Sequence, residues 1–364
     1  MADYLEVSSE KNRDNRFTKE DVLSVSGEYG IVNQIEFQGR SFAGASVSNY
    51  GIVENGDVVY TKSPLKSNPY GIIKTNKGIS GIVSTLYAVY KPKKITDSKF
   101  VQIYFELDSR MNSYMRPLVN KGAKNDMKVS AENALKGMVS FPKKDEQEMI
   151  SLYFSTLDNL ITLHQQKITR LIKLKKAMLE KMFPKKGSVI PEIRFNGFAN
   201  AWEQQKLGDV IDVYSGRDYK HLEEGDIPVY GTGGYMLSVS EALSENEDAI
   251  GIGRKGTIDK PYILYAPFWT VDTLFYCIPR KKFDLNFIYD IYQNINWKLL
   301  DESTGVPSLS KMTIKRIEIL VSSFTEQQKI GSFFKQLDHL ITLHQRKLDM
   351  LKELKSACLS EMFI

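Results

Sequence analysis

Two stretches of this chain carry nearly the same sequence 180 residues apart. The string LDNLITLHQQK at residues 157–167 returns as LDHLITLHQRK at residues 337–347, and 16 of the 29 residues aligned from positions 155 and 335 are identical. A solenoid repeat spans only about 20 to 50 residues, so a period this long excludes a solenoid. The repeat therefore predicts two similar half-molecules in tandem, each about the size of one domain.

Both copies of the repeat have the periodicity of a long amphipathic helix. Apolar residues recur every three or four positions, which is typical of a narrow stripe that packs against another helix. A helix of about 35 residues is about 50 Å long, so its stripe needs a partner of similar length, and the other copy is the obvious one. The residues predicted to pair the helices are Leu157, Ile161, His164 and Leu171 of the first copy and Leu337, Ile341, His344 and Leu351 of the second.

The two histidines lie on the apolar stripe, so packed, hydrogen-bonded residues are favoured over ligands or catalytic bases. On the helical pattern alone, a plain helical hairpin or a homodimeric coiled coil with a solvated basic face remains an alternative.

The residues that precede each long helix favour strands. Short runs of alternating apolar and polar residues, such as residues 56–62 and 273–279, are separated by Gly, Pro, Asn and Asp. Such runs are typical of β-strands, and an amphipathic stretch before each long helix is typical of a short helix. We therefore expect an α+β protein with two mixed α/β domains. The predicted segments are residues 1–140 for the first domain, 141–186 for the central long helix, 187–320 for the second domain and 321–364 for the C-terminal long helix.

Composition limits the cellular setting and the kinds of site. The 364 residues are 42% hydrophobic and carry a net charge of +5, which is compatible with a polyanionic partner. We expect a cytoplasmic protein without a membrane partner, because no run approaches the roughly 18 apolar residues of a membrane span and the first residues lack the apolar stretch of a signal peptide. Cys277 and Cys358 stand alone in the sequence, so neither a metal site nor a disulfide framework is predicted.

Several segments together resemble the specificity subunits of type I restriction-modification systems. Each motif is loose by itself, but their order, their duplication and the lengths between them are specific, and the resemblance covers nearly the whole chain. The segments are IPEIRFNGFANAWEQQKLGDV at residues 190–210, IGIGRKGTI at 250–258, PSLSKMTIKRIEI at 307–319, TEQQKIGSFFKQLDHLITLHQRK at 325–347 and LKSACLSEMF at 354–363.

This resemblance implies an architecture and a set of partners. Such proteins have two target recognition domains separated by two long helices that pair antiparallel as a coiled coil, with an approximate internal twofold axis. The resemblance implies binding of double-stranded DNA at a bipartite target without catalysis by this chain. The implied partners are two adenine-N6 methyltransferase subunits and two ATP-driven translocase-nuclease (restriction) subunits. The complex would use S-adenosylmethionine, ATP and Mg, and no cofactor is implied for this chain itself.

Catalysis and a role unconnected with DNA are the competing interpretations. An adenine methyltransferase needs an Asn/Asp/Ser-Pro-Pro-aromatic loop, and the sequence has no Pro-Pro pair. It also lacks a GxxxxGK[ST] phosphate-binding loop, because the lysine of GRKGT precedes the glycine. A coiled-coil scaffold or adaptor that does not bind DNA remains the second hypothesis.

Candidate DNA-contacting residues follow from side-chain chemistry. Arg254 and Lys255 lie between two glycines after a predicted strand, and arginine is the side chain best suited to guanine. A plain hairpin turn with exposed basic residues is the alternative there. The candidates in the second domain are Tyr214, Ser215, Arg217, Tyr230, Thr232, Arg254, Lys255 and Thr257. Those in the first domain are Ser26, Tyr29, Tyr60, Thr61, Lys62, Ser63, Lys66 and Asn68.

The first half departs from the family pattern at its beginning. It aligns with the second half only from residue 208 onward, so the counterpart of residues 190–207 is missing. We expect either a late start of the natural chain or a missing strand supplied by another segment, for instance the chain's own C-terminus. A less stable first domain is the resulting hypothesis.

Overall fold

The structure is a computed structural model that describes residues 1–62, 65, 68–119 and 129–363. The chain divides into two compact units. The first unit contains Met1–Leu163 and Lys347–Ile364, and the second contains His164–Arg346. In the described part of the chain, no helix has the length and apolar character needed to cross a membrane.

The first unit combines a four-stranded sheet with two further strand pairs. Its elements are β1 (Leu5–Val7), β2 (Leu23–Ser26), β3 (Gly30–Asn33), α1 (Gln34–Gln38), β4 (Gly51–Val53), β5 (Val58–Thr61), β6 (Ile73–Thr75), β7 (Gly81–Val83), β8 (Tyr87–Pro92), α2 (Ser98–Tyr104), α3 (Asp108–Met115), α4 (Ala131–Ala134) and the first part of α5 (Lys144–Met182). The antiparallel sheet has the order β1-β8-β5-β6, and the pairs are β2-β3 and β4-β7. Strand β5 is buried on both faces, because Val58 and Tyr60 join one core cluster while Val59 joins another.

The second unit has a larger set of strands. Its elements after α5 are β9 (Glu203–Lys206), α6 (Leu207–Val210), β10 (Ile211–Ser215), β11 (Glu224–Gly231), β12 (Gly234–Val239), β13 (Ala249–Gly253), β14 (Tyr262–Leu264), β15 (Trp269–Thr270), β16 (Leu274–Pro279), α7 (Leu285–Asn294), α8 (Lys311–Arg316), β17 (Glu318–Val321) and the first part of α9 (Phe324–Glu361). The described strands form sheets of order β10-β16-β13-β14, β12-β11-β15 and β17-β9. All of these pairings are antiparallel except that of β11 with β15.

Each unit contains part of α5 and part of α9, and the two helices pack together within it. In the first unit Phe154 and Leu157 of α5 form a core cluster with Leu359. In the second unit Leu171 of α5 and Leu337 of α9 share the main core. Burying a side chain of this kind contributes about 1.5 to 3 kcal/mol, so many such contacts are needed to offset the cost of ordering the chain. The pairing is antiparallel in both units, since later residues of α5 meet earlier residues of α9.

Two ion pairs between the helices follow the 180-residue repeat. In the second unit Lys175 Nζ lies 2.6 Å from Asp338 Oδ1, and in the first unit Lys355 Nζ lies 2.7 Å from Asp158 Oδ1. Each residue of one pair is the repeat counterpart of a residue in the other pair. Between the second unit's helix segments, His164 Nδ1 lies 3.0 Å from His344 Nδ1. One imidazole must donate and the other accept in this contact, because a shared hydrogen bond has one proton.

The other predicted pairing residues also face the helix pair. Ile341 packs against the core of the second unit, and Leu351 packs against the cluster around Phe154. Ile161 is half-buried and borders a cavity of about 300 Å³ together with Asp158.

The repeat extends to the ends of the long helices. Gln147 Oε1 accepts a hydrogen bond from Asp97 N at 2.9 Å, and Gln327 Oε1 accepts one from Asp284 N at 3.0 Å. Asp97 and Asp284 are the N-cap residues of α2 and α7. A hydrogen bond therefore connects the start of α5 with the start of α2, and another connects the start of α9 with the start of α7. The sequence does not reveal these bonds.

The predicted mixed α/β fold with two long helices is confirmed. Helices α5 and α9 begin at Lys144 and Phe324, three residues after the predicted limits of 141 and 321. The compact units divide both helices near their middles rather than setting them apart. The four-segment division therefore stays a prediction.

Helix α7 contains a buried carboxyl group. Asp290 is 1% exposed, and its Oδ2 has no hydrogen-bond partner among the described residues. Burial raises the pKa of this carboxyl group well above its ordinary value. If α2 is aligned on α7 through the buried rings of Phe100 and Phe287, Ile103 is its counterpart in the first unit, so the repeat fold does not require an acid there.

Replacing Asp290 with Asn is expected to stabilise the protein at neutral and alkaline pH. Because folding raises the pKa of Asp290, its carboxyl group costs stability once the pH rises above the unfolded value near 3.8. The gain should be on the order of 1 to 3 kcal/mol at pH 7 and should shrink as the pH falls toward about 4. Thermal unfolding of both proteins across this pH range measures the difference. Asp226→Asn, at an exposed position, is the control, and an equal gain there would contradict the explanation.

Candidate nucleic-acid interface

The candidate residues of the second domain converge on residues 270–274. This segment joins β15 to β16. Its main-chain groups form hydrogen bonds with three other parts of the chain. The bonds are Gly216 N to Leu274 O at 3.0 Å, Arg217 N to Thr270 O at 2.8 Å, Val271 N to Tyr230 O at 3.0 Å and Arg254 N to Thr273 O at 2.8 Å. Segments that are up to 58 residues apart in sequence therefore meet at one place, which the sequence alone does not indicate.

The Arg254 turn has a geometry that requires glycine. A Cβ atom on Gly253 would lie 2.1 Å from the carbonyl oxygen of Thr257, and Gly256 has a φ of +89°. Only glycine tolerates such a close approach, and it adopts positive φ without steric cost. Arg254 itself is exposed, with one long hydrogen bond of 3.4 Å from its Nη1 to the Asp272 carbonyl oxygen.

Residues 307–309 form main-chain hydrogen bonds with the other side of this turn. Gly256 N donates to Pro307 O at 2.8 Å, and Leu309 N donates to Arg254 O at 3.0 Å. The turn connects β13 to β14 over residues 254–261, which is longer than the two-residue loop of a tight hairpin. The backbone of Arg254 is fixed from two sides while its side chain stays in solvent, and its contact with DNA stays a prediction.

Arg217 is presented in a similar way. Its main-chain oxygen accepts a hydrogen bond from Trp269 Nε1 at 3.0 Å, and its side chain is exposed. Ser215 ends strand β10, and Tyr214 on the same strand is 43% exposed, with its ring stacked on Tyr276 at a centroid distance of 5.1 Å. An exposed ring and an exposed guanidinium three residues apart in sequence are chemically suited to base and phosphate contacts.

The hairpin of β11 and β12 supplies Tyr230 and Thr232. Tyr230 is half-buried, and its ring lies 6.1 Å from that of Tyr262 and 6.3 Å from that of Tyr235. Thr232 Oγ1 lies 3.9 Å from the position that a Cβ of Gly256 would occupy, so the hairpin tip approaches the Arg254 turn. Thr257 lies in the same turn and is half-buried, and Lys255 is exposed there.

Sequence reasoning missed two residues of this region. Asp272 and Thr273 lie between the candidate segments, and Asp272 is exposed. A carboxylate can accept a hydrogen bond from the amino group of cytosine, so Asp272 is a further candidate for a base contact. The search for basic and glycine-rich turns could not find it, because the local sequence TVDTLF contains neither feature.

In the first unit, Ser26 and Tyr29 share the hairpin of β2 and β3. Tyr29 N donates to Ser26 Oγ at 3.1 Å. The Tyr29 ring is 60% exposed and rests on Phe37 at a centroid distance of 5.3 Å. This hairpin is the exposed part of the first domain's candidate set.

Three other candidates of the first domain are structural residues. Tyr60 is fully buried and donates its hydroxyl to Tyr70 O at 2.7 Å. Thr61 Oγ1 accepts from Ile72 N at 2.8 Å, and the Asn68 amide donates to Asp108 Oδ1 at 2.8 Å. These side chains are 5% exposed or less, so they are not available to a DNA duplex in this structure. The prediction of DNA contacts for Tyr60, Thr61 and Asn68 is corrected accordingly.

The remaining candidates of the first domain are Lys62, Ser63 and Lys66. Lys62 is half-buried, and burial lowers the pKa of its ammonium group. Ser63 and Lys66 lie outside the described residues.

The two cysteines show no arrangement for metal binding. Within the described ranges, no three His, Cys, Asp or Glu side chains are placed to hold a metal ion. Cys277 is buried, and this burial raises the pKa of its thiol to about 12.

Comparison with known proteins finds similarity to one family of DNA-recognition domains. Residues 199–353, which include the whole convergence region around residues 270–274, match the family model described as the type I restriction modification DNA specificity domain. This part of the chain is therefore similar to the DNA specificity domain of type I restriction-modification systems. Its relatives include the type I restriction enzyme MjaVIII specificity subunit of Methanocaldococcus jannaschii, which is 23% identical over 334 residues, covering 79% of this chain and 74% of the relative.

A solved structure of a type I restriction-modification S subunit has a similar fold. The type I restriction-modification S subunit from M. genitalium superposes with a TM-score of 0.65 at 17% identity, covering all of this chain and 94% of the other. The HsdS subunit from Thermoanaerobacter tengcongensis gives a TM-score of 0.44 at 15% identity over 98% of this chain and 93% of the other. The first of these similarities supports the mixed helix and sheet fold of this chain.

Proposed function

We propose that this chain is the non-catalytic DNA-recognition subunit of a type I restriction-modification complex and that each of its domains reads one half of a bipartite target. The observation that supports this most is the convergence of Arg217, Tyr230, Thr232 and Arg254 around residues 270–274, inside the segment that matches the DNA specificity domain. A single domain can place side chains against only a few base edges of the major groove. Two domains in one chain would therefore read two short half-sites with an unread gap between them.

In this proposal affinity and choice of sequence have different sources. Contacts from lysine and arginine to phosphates supply most of the affinity, and contacts to base edges supply the choice. Helices α5 and α9 have 39 and 38 residues, and their length would set the number of unread base pairs.

The partners in this proposal are two methyltransferase subunits and two restriction subunits, with S-adenosylmethionine, ATP and Mg used by those subunits in the cytoplasm. Mapping N6-methyladenine across a genome that carries this chain and its partners tests the proposal directly. Two short motifs at constant spacing are expected. Scattered or single-part sites would contradict the bipartite reading, and failure to retard any DNA with methyltransferase subunits present would favour the scaffold hypothesis.

Replacing Arg254 with Ala is expected to weaken binding to the cognate site by about 1 to 3 kcal/mol and to relax the choice of base at one position. The reason is that its exposed guanidinium stands on a backbone fixed at Thr273 and Leu309. Methylation mapping with the variant complex measures this effect.

The matched control is Arg280→Ala. Arg280 is also exposed but follows the opposite end of β16 and pairs with Asp212. An unchanged methylation pattern for Arg254→Ala would remove Arg254 from the base contacts. Uniform weakening at all sequences, with a shallower salt dependence, would assign it to a phosphate.

A further inference from the structure

In the second unit, residues 190–198 cover one face of α9; we call these residues the entry segment. Arg194 Nε lies 2.7 Å from Glu326 Oε1 and Arg194 Nη2 lies 2.8 Å from Glu326 Oε2. Glu326 is fully buried as a result. One turn and two turns further along α9, Lys329 Nζ lies 5.0 Å from the ring centre of Phe198, and Phe333 lies 6.2 Å from Phe195.

The first unit has the same helix face on α5. The counterparts at the 180-residue offset are Glu146, Met149 and Tyr153, which lie on one side of the helix because they are three and seven residues apart. The equivalence holds in structure as well as in sequence, since Gln147 and Gln327 make the same N-cap bonds and Phe154 and Phe334 are both fully buried.

This face of α5 is uncovered. Glu146 is exposed, whereas Glu326 is fully buried. Met149 is 71% exposed and Tyr153 is 41% exposed. The two units therefore differ at the helix face that the entry segment covers in the second.

The chain's C-terminal helix contacts this face at Tyr153, whose hydroxyl lies 3.6 Å from Cys358 Sγ, but Glu146 and Met149 stay exposed. Phe363 packs on Phe100 at 5.7 Å and on Phe154 at 6.3 Å. Phe183 makes the corresponding contacts in the second unit, with Phe287 at 5.5 Å and Phe334 at 6.2 Å. Phe363 therefore takes the place equivalent to Phe183 rather than that of residues 190–198.

A second copy of the chain is also a poor occupant. Its entry segment is committed to its own Glu326, and releasing Arg194 would leave that buried carboxylate without its partner. The occupant should instead be a segment that is free to bind.

We propose that the α5 face formed by Glu146, Met149 and Tyr153 binds a segment of another polypeptide that has the chemistry of the entry segment, namely an arginine followed by aromatic residues. The arginine pairs with the Glu146 carboxylate through two hydrogen bonds, the geometry that guanidinium and carboxylate groups favour. The aromatic rings cover Tyr153 and the Met149 thioether, which makes favourable contacts with ring edges. The proposal concerns completion of the first unit and does not depend on DNA binding.

A synthetic peptide with the sequence of residues 187–202 tests this proposal with the full-length chain. A fluorescent form of the peptide should bind saturably, and hydrogen exchange should slow in residues 145–154. The affinity of the Glu146→Lys variant for the peptide should be lower by about tenfold or more, the loss expected when a charge-assisted pair is replaced by repulsion. Glu146 is exposed, so the variant should keep its fold, and circular dichroism checks that it does.

Two controls test whether the peptide binds at Glu146 of the first unit. Glu148→Lys changes a charge on the opposite side of the same helix and should leave binding unchanged. A peptide with Arg194→Glu should not bind the parent chain but should recover binding to Glu146→Lys, because the charges are exchanged. This recovery is specific for the pair and cannot come from a change in folding.

Three results would overturn the proposal. They are the absence of saturable binding, equal binding by Glu146→Lys, and slowed exchange in residues 324–334 instead of 145–154, which would mean that the peptide displaces the chain's own entry segment. Self-association of the chain that is abolished by Glu146→Lys, measured by sedimentation, would identify a second copy as the occupant and would also contradict it.

Discussion

Replacing Arg194 with Met should lower the free energy of unfolding by about 3 to 5 kcal/mol, the cost of leaving a buried charge without its partner. Glu326 is fully buried, and its two carboxylate oxygens accept hydrogen bonds from Arg194 at 2.7 and 2.8 Å. Methionine has a similar length but no donor, so the Glu326 carboxylate would remain in a poorly solvated site. Urea unfolding followed through the tryptophan fluorescence of Trp202 and Trp297, both in the second unit, measures the loss.

An exposed ion pair and a double variant provide the controls. Arg280 forms a comparable pair with Asp212, but the two side chains are 45% and 44% exposed, so Arg280→Met should leave the free energy of unfolding nearly unchanged. Combining Arg194→Met with Glu326→Met should recover much of the loss, because no uncompensated charge then remains. Equal losses for the two arginine variants, or no recovery in the double variant, would show that burial of the Glu326 charge is not the cause.

Replacing Gly216 with Ala should lower the stability of the second unit by about 3 kcal/mol and abolish DNA recognition by that domain, since overpacking of a fixed backbone is costly. A Cβ atom on Gly216 would lie 2.1 Å from Val271 O and 2.5 Å from Thr270 O. Both contacts are with backbone atoms, which cannot rotate away. The segment of residues 270–274 would have to shift. Arg217 and Arg254 would move with it, because their main-chain N–H groups donate hydrogen bonds to it.

The matched control is Gly233→Ala. Gly233 lies between β11 and β12, and nothing lies within 4 Å of the Cβ that the substitution would add. Its effect on stability should stay within about 0.5 kcal/mol. Thermal unfolding of both variants and DNA retardation with the methyltransferase subunits measure the two effects. A Gly216→Ala protein with unchanged stability and DNA retardation would show that residues 270–274 do not position the interface.

The candidate residues show why side-chain exposure could be predicted from the sequence in one domain more than in the other. In the second domain, the glycines at positions 253 and 256 mark a turn, and the neighbouring arginine is exposed. In the first domain, Tyr60 and Thr61 follow one another in a strand of ordinary polar and apolar residues. Such a strand can have one face in solvent or none, and only its tertiary neighbours decide which. Here both faces are covered, so the hydroxyl groups of Tyr60 and Thr61 stabilise the core.

The amino-acid sequence by itself determined the two long helices, their pairing and the tandem arrangement. These features depend on periodicity and on internal identity, which can be counted along the chain because helix hydrogen bonds join residues four apart. The tertiary structure alone decided that residues 270–274 gather the Arg217, Tyr230 and Arg254 segments, and that Glu146 is exposed while its repeat counterpart Glu326 is buried. Burial depends on which distant segment packs against a residue, and the free energy of that contact is set by neighbours that its local sequence does not specify.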